Sequence, residues 1–199
     1  MKYVLIFIIL FLCISNEVIK KEELEFRIVN KSITNGSNID VELVNNSKKD
    51  YYLLLDTTSF YNKLAPFNAS EFLQLANIGI KDNYNNVIDL EFKDYQCYNN
   101  LEYKNHVKSK NILKIKSNHK VYFSIPFKLR TDINENCWYG YQIQKMKIDR
   151  KYFCFLMNVK PDEYLRQKLP MEVKDSLMQM GYELYEKEII SNKVALILR

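Results

Sequence analysis

Alternation at every second position constrains this chain more than any other feature. Val121, Phe123, Ile125, Phe127 and Leu129 share one parity, while Tyr122, Ser124, Pro126, Lys128 and Arg130 share the other. The same rhythm runs through Leu24, Phe26 and Ile28, through Ile39, Val41 and Leu43, and through Ile88, Leu90 and Phe92. Successive side chains of an extended strand point to opposite faces, so each run offers one face to a core and the other to water. One wet face per strand is the mark of antiparallel sheets. Pro126 has no N–H for a ladder hydrogen bond and predicts an edge or a bulge at its position.

Polar links punctuate the runs. Asp82–Asn86, Lys116–His119, Ile148–Arg150 and Ser191–Lys193 each separate two apolar stretches and predict hairpins. Residues 39–56 read as two strands joined by the polar knot Asn45–Asp50, a corner that can carry the chain from one sheet to another. About nine to eleven short strands with such punctuation predict a mainly β fold, an antiparallel β-sandwich. Two short helices are expected at about 161–180, before the last strands. Pro161-Asp162-Glu163 opens the first, with acids in its first turn. Pro170 starts the second, whose Met171, Val173, Leu177 and Met178 follow helical spacing up to Gly181 as its stop. Its methionines read as packing over an open end of the sandwich, or as an adaptable binding surface. A weaker helix signal begins at Asn68.

The ends and the composition bound location and partners. Met1-Lys2, the uncharged apolar run Tyr3–Ile14 and the small Ser15 have the three-part layout of a secretory signal peptide. We expect cleavage after Ser15, leaving 16–199 as a single secreted or periplasmic domain with no membrane span. The apolar run is shorter than the ~20 residues of a spanning helix. Lipid anchoring at Cys13 is a minor alternative, disfavoured because Leu12 is not small. The formal charge is +5, from 29 basic and 24 acidic residues. These charges are scattered, whereas nucleic-acid binding wants a concentrated basic patch, so no nucleic-acid partner is expected. Cys97, Cys137 and Cys154 remain after cleavage. In an oxidising compartment they imply one pair and one leftover. We expect Cys137 to pair with Cys154 on neighbouring strands, for about 3 kcal/mol of stabilisation; Cys97 could replace either.

The chain carries no phosphate-cradling glycine loop, no Gly-x-Ser-x-Gly elbow, no Cys-x-x-Cys and no histidine pair at ligand spacing. No catalytic residue, metal or cofactor is therefore assigned. Cys97 with His106 or His119 is a weak nucleophile pair, set against two turn histidines and a structural cysteine. Asp82, Asp89, Glu91 and Asp94 cluster in sequence, but Asp89 and Glu91 alternate with apolar residues as a solvated strand face does. Tyr95, Tyr98 and Tyr103 lie in the longest irregular stretch and form a candidate contact surface, because tyrosines offer large area at low entropy cost. They can equally be pinned against the core. Trp138 is a further candidate: it faces outward, able to stack on a sugar, or lies buried beneath the helices. Tyr139, Tyr141 and Ile143 share the parity expected of the core. Asn30, Asn35, Asn45 and Asn68 head Asn-x-Ser sequons, which a glycosylating host would require at the surface.

The stretch "ELEFRIVNKSITNGSNIDVELVNNSKKDYYLLLD" resembles the opening of immunoglobulin-like sandwich domains of exported bacterial proteins. "ILKIKSNHKVYFSIPF" resembles their middle, and "MGYELYEKEIISNKVALIL" the end of small exported proteins of AT-rich Gram-negative bacteria. The strand pair ending in Asn-x-Ser is similar to the immunoglobulin-like proteinase-inhibitor domain. The antibody-type Cys…Trp…Cys arrangement is missing, since Trp138 directly follows Cys137. The resemblance implies an exported, non-enzymatic binding or interaction module for a protein or glycan ligand. Inhibition of an extracytoplasmic protease, or an unrecognised hydrolase, are the alternatives open at this point.

Overall fold

A computed structural model of the chain describes residues 22–55, 77–94, 112–134, 137–147, 149–158, 161 and 169–198. These residues are mainly β: fourteen strands and one α-helix in the described part. β1 (Leu24–Ile28), β3 (Asn38–Asn45) and β8 (Lys120–Pro126) form one antiparallel sheet in the order β1–β3–β8. β5 (Asn77–Asp82), β11 (Tyr152–Asn158), β14 (Val194–Ile197) and β2 (Ser32–Thr34) lie side by side in a second. The chain thus leaves one sheet for the other within Val29–Lys31, and β2 runs parallel to β14. Two three-stranded sheets complete the set. They are β6 (Leu90–Asp94), β10 (Cys137–Tyr141) and β9 (Arg130–Asn134), and β12 (Tyr182–Leu184), β4 (Asp50–Leu54) and β7 (Ile112–Ile115). β12 runs parallel to β4.

Alternation builds the core as expected. Leu24, Phe26, Ile28, Ile39, Val41, Leu43, Ile125 and Phe127 are all 4% exposed or less. They form one cluster with Ile78, Ile80, Tyr152, Cys154, Leu156, Val194 and Leu196 of the second set of strands. Burying a side chain of this size stabilises the fold by about 1.5–3 kcal/mol. Pro126 stands at the last residue of β8, where its missing N–H costs least.

Of the expected hairpins, Asp82–Asn86 closes, with Lys81 bridged antiparallel to Val87, while Lys116–His119 and Ser191–Lys193 join strands that do not pair with each other. The polar knot Asn45–Asp50 is the expected corner between sheets: β3 pairs with β8 and β4 with β7, so β3–β4 and β7–β8 bend together as they pass from one sheet to the next. Asn45 fills the bend. It is 1% exposed, its Nδ2 donates to the carbonyls of Lys49 and Lys116, and its Oδ1 accepts from the Ser47 N–H and hydroxyl. Ser191–Lys193 is no turn. β13 (Ile189–Ile190) and β14 run along the same strand β11, with one extra residue between them, which is a β-bulge. Asn192 uses it to reach β1, where its Oδ1 accepts from the Ile28 N–H and its Nδ2 donates to the Ile28 carbonyl.

The helix expected before the last strands is α1 (Met171–Gln179). Pro170 stands at its N-cap, and Gly181, at φ +81°, lies just past its end. Leu177 packs with Leu169, Tyr52 and Leu54. The other expected helix, like the Asn68 signal, falls on residues outside the described ones, so of the expected two-helix insertion the described residues show this one helix. No helix among the described residues is long and apolar enough to cross a membrane.

Candidate functional site

β11 departs from the alternating rule, and the departure makes a site. Its Tyr152, Cys154 and Leu156 enter the core, yet Phe153, Phe155 and Met157 on the opposite face are apolar too. That second face continues into Ala195 and Ile197 of β14 and Ile190 of β13, the last two 40% and 51% exposed. Where β11 begins and β14 ends, Met146, Arg150, Lys151, Tyr152, Phe153 and the run Ala195–Leu198 line a half-open cleft of about 660 Å³. Small-ligand sites usually span ~300–1,000 Å³ and are lined mainly by apolar groups with a few polar ones.

One wall is the segment after the 3₁₀ turn Ile143–Lys145, and its shape is fixed by two buried groups. The Tyr152 hydroxyl accepts from the Lys147 N–H at 2.6 Å and donates back to the Lys147 carbonyl at 3.3 Å. Asp82, at the end of β5, accepts from the N–H groups of Tyr84 and Asn86, the Asn86 amide and the Arg150 guanidinium at 2.5 Å. Burial alone would raise the Asp82 carboxyl. The donors of Asn86, Tyr84 and Arg150 outweigh it and hold the group at about 2, below its ordinary 3.8. Arg150 also stacks 5.2 Å from the Tyr84 ring centroid. The acid and the hydroxyl nearest the cleft are therefore consumed in holding the wall. Asp82 stands in the sequence both as the start of a polar link and as one of four neighbouring acids. Its signal is the Asp-x-x-x-Asn turn, in which a carboxylate can collect backbone N–H groups.

The other candidates fare differently. Tyr95, Tyr98 and Tyr103, with Cys97 and His106, lie outside the described residues. Trp138 is half-buried, with the Arg130 guanidinium 4.3 Å from its ring centroid. Asp132 holds that guanidinium at 2.8 Å. Tyr141 is core as expected, its hydroxyl donating to the Ile78 carbonyl at 2.6 Å. Cys154 is a free, buried thiol, and burial pushes it up to about 12. The disulfide expected with Cys137 is not formed, because the two strands are not neighbours: β10 pairs with β6 and β9, β11 with β5, β13 and β14. Glu91 accepts from the Gln144 amide and Asp89 is exposed, as a solvated face requires. The His119 ring sits on the Ser117 carbonyl at 2.8 Å.

A polar row crosses the outer side of the first sheet. Arg27, Glu42 and Tyr122 stand opposite one another in register. The Tyr122 hydroxyl donates to Glu42 at 2.5 Å and Lys120 reaches both carboxylate oxygens, so the Glu42 carboxyl is held below its ordinary value by Tyr122 first and Lys120 second. This row satisfies itself and leaves no converging donors for a ligand. Among the described residues no group of three potential metal-binding side chains occurs. Of the sequons, Asn45 is buried and Asn30 spends its amide on Asn38 and Asp40, while Asn35 is exposed. Compared with known proteins, the chain matches no family model and no curated protein.

Proposed function

We propose that this chain is an exported, non-enzymatic binding module on an immunoglobulin-like sandwich, and that the cleft between β11 and β14 is its contact site. The single observation behind the reading is an apolar cleft of small-ligand size, edged by exposed Ile197 and Leu198, beside which Tyr152, Asp82 and Arg150 are locked into structure. A mainly apolar cleft with a few polar groups at its edge is the form that small-ligand sites take. The sandwich arrangement is supported by three facts. The first strand switches sheets between β1 and β2, β2 runs parallel to the last strand, and one core cluster joins side chains from both sets of strands. Export draws on the signal-like start of the sequence.

The reading is tested on the purified mature protein. Its intact mass reports cleavage after Ser15. Ligand capture from the extracytoplasmic fraction is then compared between wild type, Ala195→Trp, which fills the cleft, and a Tyr95, Tyr98 and Tyr103 triple alanine variant. Loss of capture in Ala195→Trp supports the cleft, and loss in the triple variant places contacts on the tyrosines instead. Capture unchanged in both, or hydrolytic turnover by the pure protein, overturns the reading.

A further inference from the structure

The lining of the cleft specifies a class of ligand. Its walls are hydrocarbon and aromatic, and its charged residues, Arg150 and Lys151, are both cations. Arg150 is already neutralised by Asp82 and covered by Tyr84. Lys151 is different: it is exposed, and it has no ion partner among the described residues. Outside the lining, Lys145, Lys147 and the acid Asp149 are all exposed on the same segment, so among the described residues Lys151 is the cation left free at the cleft itself. An unpaired ammonium at an apolar mouth disfavours a wholly apolar guest, which would strip its water and return no acceptor. It favours a guest whose apolar body ends in an anion.

We propose that the cleft binds a single-chain anionic amphiphile, an acyl carboxylate, with its chain along Phe153, Ala195 and Ile197 and its head group at Lys151. This rests on the cleft being the contact site. The half-open form suits such a guest, because the chain is buried while the head group keeps water. Each buried CH₂ contributes in proportion to the area it removes from water, so affinity rises with chain length until the cleft is filled.

The test titrates the exported chain with dodecanoate and with dodecyl maltoside, both below their micellar concentrations, and separately with phosphatidylglycerol vesicles. Dodecanoate is expected to bind more tightly than the maltoside. Lys151→Glu is expected to weaken dodecanoate binding about 3–10-fold, as reversal of one exposed ion pair does, and to leave the maltoside unchanged. Ala195→Trp is expected to abolish both. Ile197→Asn, an exposed position, repeats the measurement should the tryptophan disturb folding. Equal binding of the two amphiphiles, insensitive to Lys151→Glu, overturns the anionic specificity and leaves the contact site standing. Binding of neither overturns the ligand class, while capture lost in Ala195→Trp still upholds the site. Vesicle binding that survives Ala195→Trp marks adsorption to a charged surface and overturns the proposal.

Discussion

The apolar outer face of β11 depends on a glycine, and the dependence can be measured. Gly79 on β5 stands directly opposite Phe155 on β11. A methyl group built on Gly79 would lie 2.2 Å from Cζ, 2.5 Å from Cε1 and 2.8 Å from Cε2 of that ring. The ring therefore rests on the bare backbone of Gly79, which is how Phe155 is only 9% exposed on the face opposite the core. Gly79→Ala must push the ring outward by more than an ångström, and such overpacking costs about 1–3 kcal/mol. Alanine also narrows the unfolded ensemble, which returns about 0.4–1 kcal/mol. The net expectation is a loss of up to about 2.6 kcal/mol. In a Phe155→Ala background the obstruction is gone, so the same substitution becomes stabilising by about 0.4–1 kcal/mol. Urea unfolding of the four proteins, followed by far-ultraviolet circular dichroism, gives the coupling between the two positions. An equal cost of Gly79→Ala in both backgrounds refutes the stacked geometry.

Three other outcomes follow from buried polar groups. Asn45→Ala removes four hydrogen bonds from the kink shared by β3–β4 and β7–β8, and a loss of about 1–3 kcal/mol is expected by chemical denaturation. Asp82 is depressed from 3.8 to about 2 in the folded chain. Its contribution is fully present above pH 3.8 and lost as pH falls through about 2. Asp82→Asn should therefore lower the midpoint at neutral pH and flatten the wild-type decline between about pH 4 and 2; a decline of unchanged steepness sinks the assignment. The buried Cys154 thiol, pushed up to about 12, should resist iodoacetamide at pH 8 in the native protein and react once urea is added. Peptide mapping by mass spectrometry reads this directly, and native labelling of Cys154 contradicts its burial.

What the sequence made legible was whatever depends on local period. Leu24–Phe26–Ile28 and Ile39–Val41–Leu43 alternate because one face of each strand meets the core, and the structure buries those faces. Pro170 and Gly181 bracket α1 because capping is also a local property. Pairing is not local. Lys116–His119 and Ser191–Lys193 have the composition of turns, and a polar link between apolar runs looks the same whether the chain reverses or only bends. In the first case the neighbours of β7 and β8 are β4 and β3, with partners from 58 (Leu54 and Ile112) to 88 (Asn38 and Pro126) residues apart. The expected Cys137–Cys154 bond failed for this reason: it assumed that consecutive strands are adjacent, and β11 instead pairs with β5 and β14. The cleft was hidden for the same cause, since its walls come from Met146, Arg150 and Lys151 on one side and Ala195–Leu198 on the other, brought together by the start of β11. One signal was nevertheless present. Tyr152–Met157 reads as an unbroken apolar run, and such a run belongs to a strand with apolar groups on both faces. The core accounts for one of those faces in β11. The other, with Ile190 and Ile197 exposed beside it, is apolar surface that alternation alone does not require, and it is this excess that the proposed contact site rests on.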